Sequence, residues 1–329
     1  VVSVAPAIGY VHRGIEKGAE INEFPQNIFL VERVCGICSF MHAMTYCMAV
    51  EDIMKLEIPP RAKYLRVFFS EISRIHSHLL WLGLYADAFG FESLFMKYWA
   101  IREKIVDLME ATGGHRVILS ASAIGGVRRD LTPELIRLAE KTLMEVKKEM
   151  DSITPVIFKD YTVKKRTVGI GMLSKEDAIK YGACGPVLRA SGVAQDLRQT
   201  GYAAYDELGF EPVVDDGCDC YARGVIRVKE VYQSIELALE AMARLPEGEI
   251  AARVKGNPDG ESIQRVEQPR GEVLYYVKGN GTKHLERLRV RTPTFAHVPS
   301  LLKMLQNSHM ADVPVIILSI DPCISCTER

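Results

Sequence analysis

Apolar positions recur at three- and four-residue spacing over much of the chain. The clearest run lies between Ala62 and about Phe89, where Leu65, Phe68, Ile72, Ile75, Leu79 and Leu82 mark one face of a helix. The same signal predicts helices from just after Cys38 to about Lys55, ending before Pro59-Pro60, and from Glu92 to about Ala111. A further helix is expected from Pro133 to about Met150, with Thr132 as its cap. Val193–Leu208, Lys229–Arg244 and the shorter Val298–Leu305 read as helices too. In the final third, Gly271–Lys278 and His284–Arg291 flank Gly279-Asn280-Gly281-Thr282 and predict a β-hairpin. Val1–Ala7 and the apolar run Val313–Ile320 are expected to be strands. No internal repeat or linker-like tract interrupts the chain. The expectation is a single mainly α domain over residues 1–329, with small β elements (α+β).

Composition narrows the functional classes. Of 329 residues, 48% are hydrophobic and 25% charged, a globular balance. Lys and Arg total 41 against 42 Asp and Glu, so no basic excess exists to neutralise phosphates, and nucleic acid is not an expected partner. No apolar run approaches the roughly 18–20 residues that span a bilayer, and no basic-then-apolar leader opens the chain. It opens without Met, which suggests that an N-terminal segment is missing.

The eight cysteines are clustered. Cys35-Gly36-Ile37-Cys38 lies near the start, and Cys323-Ile324-Ser325-Cys326 lies three residues from the end. Each C-x-x-C spacing brings two thiolates to one side of a turn, and soft thiolate donors select zinc, iron–sulfur, copper(I) or nickel over magnesium and calcium. Nearly the whole chain separates the pairs, unlike the roughly 15–20 residues of a zinc ribbon. A structural zinc site and two unrelated buried thiol pairs both remain open at this point. Cys47, Cys184, Cys218 and Cys220 have no matching partner cluster and read as structural thiols. His76 and His78, two apart on the best helix, face different sides, and packing or a subunit contact explains them better than ligation.

The flanking residues sharpen the choice. Arg33-x-Cys35-Gly36-x-Cys38-x-x-x-His42, followed near the end by Asp321-Pro322-Cys323-x-x-Cys326, resembles the large subunit of NiFe hydrogenases. His12-Arg13-Gly14-x-Glu16-Lys17 is similar to a segment shared by energy-converting hydrogenases and the 49-kDa-type subunit of complex I. Arg74-Ile75-x-Ser77-His78-Leu79-Leu80, Gly125-Gly126-Val127-x-x-Asp130-Leu131, Gly185-Pro186-x-Leu188-Arg189-x-Ser191-Gly192 and Asp196-Leu197-Arg198 look like that superfamily as well. Gln268-Pro269-Arg270-Gly271-Glu272 resembles the motif that borders the active-site iron. The resemblance extends over essentially the whole chain. One departure is that the sequence starts after the GPxHP segment with which these families usually begin, and after the acidic residue proposed there to pass protons.

The resemblance implies a nickel–iron centre carrying carbon monoxide and two cyanides on iron. Cys35 and Cys323 would be terminal nickel ligands, and Cys38 and Cys326 would bridge the two metals. Dihydrogen, a very weak acid when free, would be split heterolytically, with a terminal thiolate, Cys323 above all, as base. A free guanidinium has a pKa above about 12, so Arg270, beside Pro269, is expected as a positive lid over the iron, paired with Asp321 or another charge. His42 would hydrogen-bond a cysteine sulfur. Glu16 would relay protons, or else form a surface ion pair with Arg13 or Lys17. Thr292 or Thr294 would offer a hydroxyl to a cyanide, unless Thr292-Pro293-Thr294 is a plain strand-to-helix turn. The resemblance also allows a magnesium or iron ion near the C-terminus.

The implied activity is that of an energy-converting hydrogenase catalytic subunit, exchanging protons and dihydrogen. Reduced ferredoxin would supply electrons through a 4Fe-4S cluster in a separate small subunit, and integral membrane subunits would translocate ions. The chain would sit peripherally at the cytoplasmic face of the cell membrane. Its end at Arg329 fits removal of a C-terminal peptide by a maturation protease, although some relatives have no such extension. The alternatives are a nickel-free complex-I-type subunit shaping a quinone site and a scaffold whose cysteines hold zinc.

Overall fold

A computed structural model describes all 329 residues. Thirteen α-helices run in chain order as α1 (Ile15–Ile21), α2 (Asn27–Val31), α3 (Ser39–Met54), α4 (Pro60–Ala88), α5 (Glu92–Gly113), α6 (Pro133–Lys159), α7 (Tyr161–Thr167), α8 (Lys175–Lys180), α9 (Gly185–Arg189), α10 (Cys220–Ala243), α11 (Pro293–Leu305), α12 (Val313–Ser319) and α13 (Ile324–Thr327). Two short strands, β1 (Ser122–Ala123) and β2 (Gly126–Val127), pair with each other. An antiparallel meander is formed by β3 (Asp259–Gln268), β4 (Gly271–Asn280) and β5 (Leu285–Arg291). The protein is mainly α with small β elements, as its periodicity predicts.

The 29-residue α4 is the central post. Pro60 opens it with no N–H of its own to leave unpaired and φ already set for a helix, and the helix has no glycine until Gly83, so it runs about 44 Å at 1.5 Å per residue. It packs against α5 on one flank and α10 on another. Leu65, Phe68, Ile72, Ile75, Leu79 and Leu82 are all buried, so the predicted stripe is the core-facing one. α3 lies across β3 and β4, which fixes the meander against the helical body. On β4 the inward residues alternate as Val273, Tyr275 and Val277.

Several expectations need correction. Val313–Ile320 is helical, not a strand. A short apolar run carries no period of its own, and Pro314 in the first turn favours a helix start. Val1–Ala7 has no regular structure and is largely exposed. Val193–Leu208 is a loop with two short 3-10 turns. Asp196 caps the first of these, and both Asp196 and Arg198 turn into the core, which a helix would not allow two residues apart. The predicted helix at Lys229 starts earlier, at Cys220 under an Asp219 cap, and the Pro133 helix runs on to Lys159. The hairpin is correct in type but incomplete, since β3 pairs with β4 along its whole length.

Candidate metal centre

The added strand changes how the Gln268-Pro269-Arg270-Gly271 motif is read. Gln268 pairs with Gly271, so Pro269 and Arg270 form the two-residue tip of the β3–β4 hairpin. Gly271 there has φ +126°, and Gly185 at the start of α9 has φ +59°. A Cβ on Gly185 would lie 2.3 Å from Gly271 Cα and 2.7 Å from the Arg270 carbonyl oxygen. The hairpin tip is therefore seated backbone to backbone on α9, and Arg270 is aimed inward.

The two cysteine pairs meet across the fold. All four thiols are buried, and Cys35 Sγ lies 3.4 Å from Cys323 Sγ. The donor atoms of Cys35, Cys323 and Cys326, and those of Cys38, His42 and Cys326, each lie within 4.8 Å of one another. Both loops use the same local geometry. Cys38 N–H donates to Cys35 Sγ at 3.5 Å, and Cys326 N–H donates to Cys323 Sγ at 3.4 Å. Each first thiol is thus held by the backbone of the second, just before a helix starts.

Arg13 staples the two loops together. Its guanidinium donates to the carbonyls of Arg33 at 2.5 Å, Val34 at 3.1 Å and Ser325 at 2.9 Å. His12 Nδ1 meets the Glu328 carbonyl at 2.8 Å. The His12-Arg13 motif points to this family from sequence, but only the structure shows that it bridges both cysteine loops.

Around the thiols, His42 Nε2 lies 3.6 Å from Cys326 Sγ, and Nδ1 lies 2.8 Å from the Tyr275 hydroxyl. Burial pushes the imidazole pKa down to about 4, so it is neutral at physiological pH. Cys38 Sγ donates to Gln268 Oε1 at 3.6 Å, and Cys323 Sγ sits 3.2 Å from the Ser325 hydroxyl. Thr294 Oγ1 accepts the Cys323 N–H at 3.2 Å, while Thr292 donates to the Cys326 carbonyl at 2.8 Å. Thr292 also stands at the strand-to-helix junction before α11, and its hydroxyl hydrogen is committed to that carbonyl.

Arg270 and Asp321 form a buried ion pair at 2.8 Å. Arg270 also donates to the Asp321 carbonyl at 2.9 Å and to the Ser77 hydroxyl at 3.3 Å. Burial opposes its charge, but Asp321 and the thiols Cys323, Cys35 and Cys38 more than offset this and hold the pKa well above its usual value. Asp321 itself has φ +56° and donates its N–H to Leu318 at 2.8 Å. α12 before it is tied down by Trp81, which donates to Leu318, and by Arg223, which donates to Ser319. Pro269, at the hairpin tip, fixes the turn that presents Arg270.

Glu16 sits at the margin. It pairs with Arg289 at 2.8 Å and Arg329 at 3.2 Å, and accepts the Val290 N–H at 2.9 Å. Neither Arg13 nor Lys17 is its partner, because Arg13 is held between the cysteine loops. Cys47, Cys184 and Cys220 are buried and Cys218 half-buried, all away from the four-thiol cluster. His78 forms a buried pair with Glu230 at 2.8 Å and His76 faces Arg102, so neither joins the thiols. Tyr275, Ser77, Gln268 and Ser325 are site neighbours that sequence reasoning did not assign. Ser77 and Gln268 fall inside the quoted motifs without a role of their own, while nothing in the sequence marked Tyr275 or Ser325.

Four thiols at this separation share protons. Hydrogen bonding from Cys326 and then Cys35 draws Cys38 down to about 5, whereas hydrogen bonding to Cys323 and Cys35 drives Cys326 well up. The set cannot ionise fully without a cation among the sulfurs, and its softness suits nickel, iron or zinc. Gln268 Nε2 is also buried beside Cys38 without a partner in the chain. The residues therefore fit a thiolate-bound metal centre.

Fold and site together define a mainly helical subunit with a buried four-thiol centre assembled from both ends of the chain. Residues 88–257 and 252–329 match the family model described as respiratory-chain NADH dehydrogenase, 49 Kd subunit, and residues 13–86 match nickel-dependent hydrogenase. The carbon monoxide-induced hydrogenase of Rhodospirillum rubrum is 43% identical over 335 residues, covering 100% of this chain and 92% of that protein. The membrane-bound hydrogenase subunit alpha of Pyrococcus furiosus is 37% identical, covering 100% and 81%. An NADH-quinone oxidoreductase subunit of Thermodesulfovibrio yellowstonii is 32% identical, covering 100% and 90%. The chain belongs to the NiFe hydrogenase large-subunit family, in the energy-converting group related to the complex I 49-kDa subunit. No helix in it is long and apolar enough to cross a membrane.

Proposed function

We propose that the chain is the catalytic subunit of an energy-converting hydrogenase, interconverting protons and dihydrogen. The convergence of four buried thiols under the Arg270–Asp321 pair carries this reading. Cys35, Cys38, Cys323 and Cys326 would hold a nickel–iron centre, with carbon monoxide and two cyanides on iron. When bound, that centre supplies the electron-rich site at which dihydrogen is polarised and split.

The chain's own groups handle the proton and the charge. Cys323 holds the proton, with the Ser325 hydroxyl 3.2 Å away to pass it on. Arg270 stays cationic, is held in orientation by Asp321, Ser77 and the Pro269 turn, and would offer a guanidinium edge to anionic ligands on the iron. Thr294 keeps its hydroxyl hydrogen free for the same ligands. His42, fixed by Tyr275, steadies Cys326. Glu16 offers a carboxylate near the surface for protons in transit.

A small subunit carrying a 4Fe-4S cluster would deliver electrons from a ferredoxin-type carrier. Integral membrane partners would couple the reaction to ion translocation, leaving this chain peripheral at the cytoplasmic face. The relatives named as membrane-bound hydrogenase and as NADH-quinone oxidoreductase subunits support membrane partners of this kind.

The second reading is a nickel-free subunit shaping a quinone site, favoured by the full-length likeness to NADH-quinone oxidoreductase subunits. It gives no reason for four thiols to converge. An infrared spectrum of the purified complex decides between the two. One metal-carbonyl band with two cyanide bands is the expected result. Their absence, in a complex holding zinc or no metal, would overturn the hydrogenase reading. Cys323→Ser is expected to abolish both nickel retention and hydrogen turnover.

A further inference from the structure

A second polar region, apart from the thiols, fills the α4–α10 interface. Glu71, Arg74 and His78 follow at three- and four-residue spacing along α4, and Arg227 and Glu230 do so along α10. All five are fully buried. Buried charge is costly compared with an apolar seam of the same shape, so this arrangement calls for a physical reason.

The contacts form a continuous chain. His78 Nε2 meets Glu230 Oε2 at 2.8 Å. Arg189 of α9 joins Glu230 at 2.7 Å to Glu267 at 2.7 Å and to Asp196 at 3.1 Å. Arg198 binds Asp196 at 2.8 Å, and Arg74 reaches Glu71 at 3.3 Å. Within this cluster three guanidiniums face four carboxylates. Arg227 lies beyond it, stacked over Trp81 at 4.1 Å with no carboxylate in salt-bridge contact.

The cluster adjoins the metal site without a direct side-chain link to it. Glu267 and Gln268 are successive residues of β3 with opposite neighbours, Glu267 facing Arg189 and Gln268 facing Cys38. Arg227 senses Asp321 on one side and Glu230 on the other. Between the two regions, Arg74 Nη1, His78 Nδ1, Arg227 Nε and Nη2, Gln268 Nε2 and Asp321 Oδ2 are buried without a partner in the chain. Buried polar atoms grouped in this way are met by internal water, which is a proton conductor.

We propose that the α4–α10 seam is an internal proton path of the hydrogenase, with Glu267 as its storage group. The proposal rests on the hydrogenase reading and, Asp321 and the cysteines apart, names residues that reading does not use. Splitting one dihydrogen yields two protons and two electrons, and the electrons leave to the iron–sulfur partner. A proton leaving a cysteine thiol passes by internal water among the unpartnered atoms of Asp321, Arg227 and His78 to Glu230, and from there, around the shared Arg189, to a Glu267 oxygen. The carboxylate becomes a carboxylic acid, and release of the proton under half-buried Tyr202 restores it. Proton reduction runs the same transfers in reverse.

The surroundings of Glu267 fit this role. Burial and then the charge of Asp196 push its pKa up to about 7, against the pull of Arg189 and Arg74. Arg198, Glu71 and Glu230 complete the charged shell, His78 lies beyond Glu230, and the Leu197 N–H donates to Glu267 Oε2 at 3.2 Å. Cys184 packs nearby and the Tyr202 hydroxyl accepts the Glu267 N–H. With one carboxylate more than guanidiniums in the cluster, Glu267 is placed to hold the extra proton and give it back, as a relay must.

The test uses the purified complex with wild-type chain, E267Q and E267D. In the wild type, an infrared carboxylic-acid carbonyl band should titrate near pH 7 and shift in D2O, and E267Q should remove it. Hydrogen turnover with an artificial electron acceptor should fall by roughly tenfold or more in E267Q and lose its inflection near pH 7, with recovery in E267D. H78Q, which leaves Glu267 in place, should keep the band and slow turnover by a similar factor. No titrating carbonyl band in the wild type would overturn the proposal, and this needs no variant to assemble. Wild-type rate and pH profile in E267Q would also overturn it. A titrating band in a complex lacking metal-carbonyl bands and turnover would strike the hydrogenase reading while leaving Glu267 as a proton store.

Discussion

Two carboxylates near the centre, Glu16 and Glu267, have opposite environments. Glu16 sits at the margin, its side chain 16% exposed, and is met by two arginines and a backbone N–H. Burial raises its pKa, but those three partners outweigh burial and hold it below the usual carboxylate value. Glu267 is enclosed, shares Arg189 with two other carboxylates, and lies above that value. What decides whether an acid can carry a proton at neutral pH is therefore the number of cations it must share, together with its burial. Glu16 must loosen from Arg289 or Arg329 before it can do so, whereas Glu267 is poised as it stands.

The largest effect should come from removing the shared cation. Arg189→Met leaves Glu230, Glu267 and Asp196 facing one another without it, at a cost of about 3–5 kcal/mol. Denaturation of the assembled complex, or its yield, reads this loss. Adding Glu267→Gln removes one of the stranded charges and should recover part of it. If the two losses simply add, the carboxylates do not compete for Arg189 as the geometry requires.

A smaller loss is expected where the hairpin tip meets α9. Gly185→Ala puts a Cβ 2.7 Å from the Arg270 carbonyl at a residue with φ +59°. Strain and crowding together should cost about 2–4 kcal/mol. The displaced Arg270 should also shift the metal-bound carbonyl and cyanide bands. Unmoved bands would mean that the α9 contact does not set the position of Arg270.

The pH dependence of stability separates the two acids by sign. Glu267 has a folded pKa of about 7 against an ordinary 4.5. Its contribution is complete below 4.5 and is lost as pH rises through 7. Glu267→Gln should therefore flatten the stability profile between those values. A fall in stability with rising pH that persists unchanged in the variant would assign it to another group.

Much of this architecture is legible in the sequence, because helices as long as α4 and α10 carry their own period. The two cysteine loops can be joined on paper only through the family resemblance, since 288 positions separate Cys35 from Cys323. What stays hidden depends on tertiary contact. The strand β3 has an irregular burial pattern, so the hairpin that projects Arg270 reads one strand short. Asp196 and Arg198 look helical because propensity does not register a buried ion pair. Glu267 carries no signal of its own, since its character comes from Arg189 and Asp196 in one segment and Arg74 in another, both distant from it along the chain.

The smallest effect belongs to the margin. Arg289 is 58% exposed, so Arg289→Ala should cost under about 1 kcal/mol at neutral pH, and less in high salt. Glu16 has a lowered folded pKa, so its contribution is present above the ordinary carboxylate range and fades as pH falls through the folded value. Wild type and Arg289→Ala should therefore converge in stability on acidification. The same variant sharpens the functional contrast, because it frees Glu16 from one cation and raises its proton affinity. If Glu16 passes protons, Glu16→Gln should slow hydrogen turnover while Arg289→Ala leaves it unchanged or faster. Equal rates in Glu16→Gln and wild type would reduce Glu16 to a tether between α1, β5 and Arg329, leaving Glu267 as the acid that serves the centre.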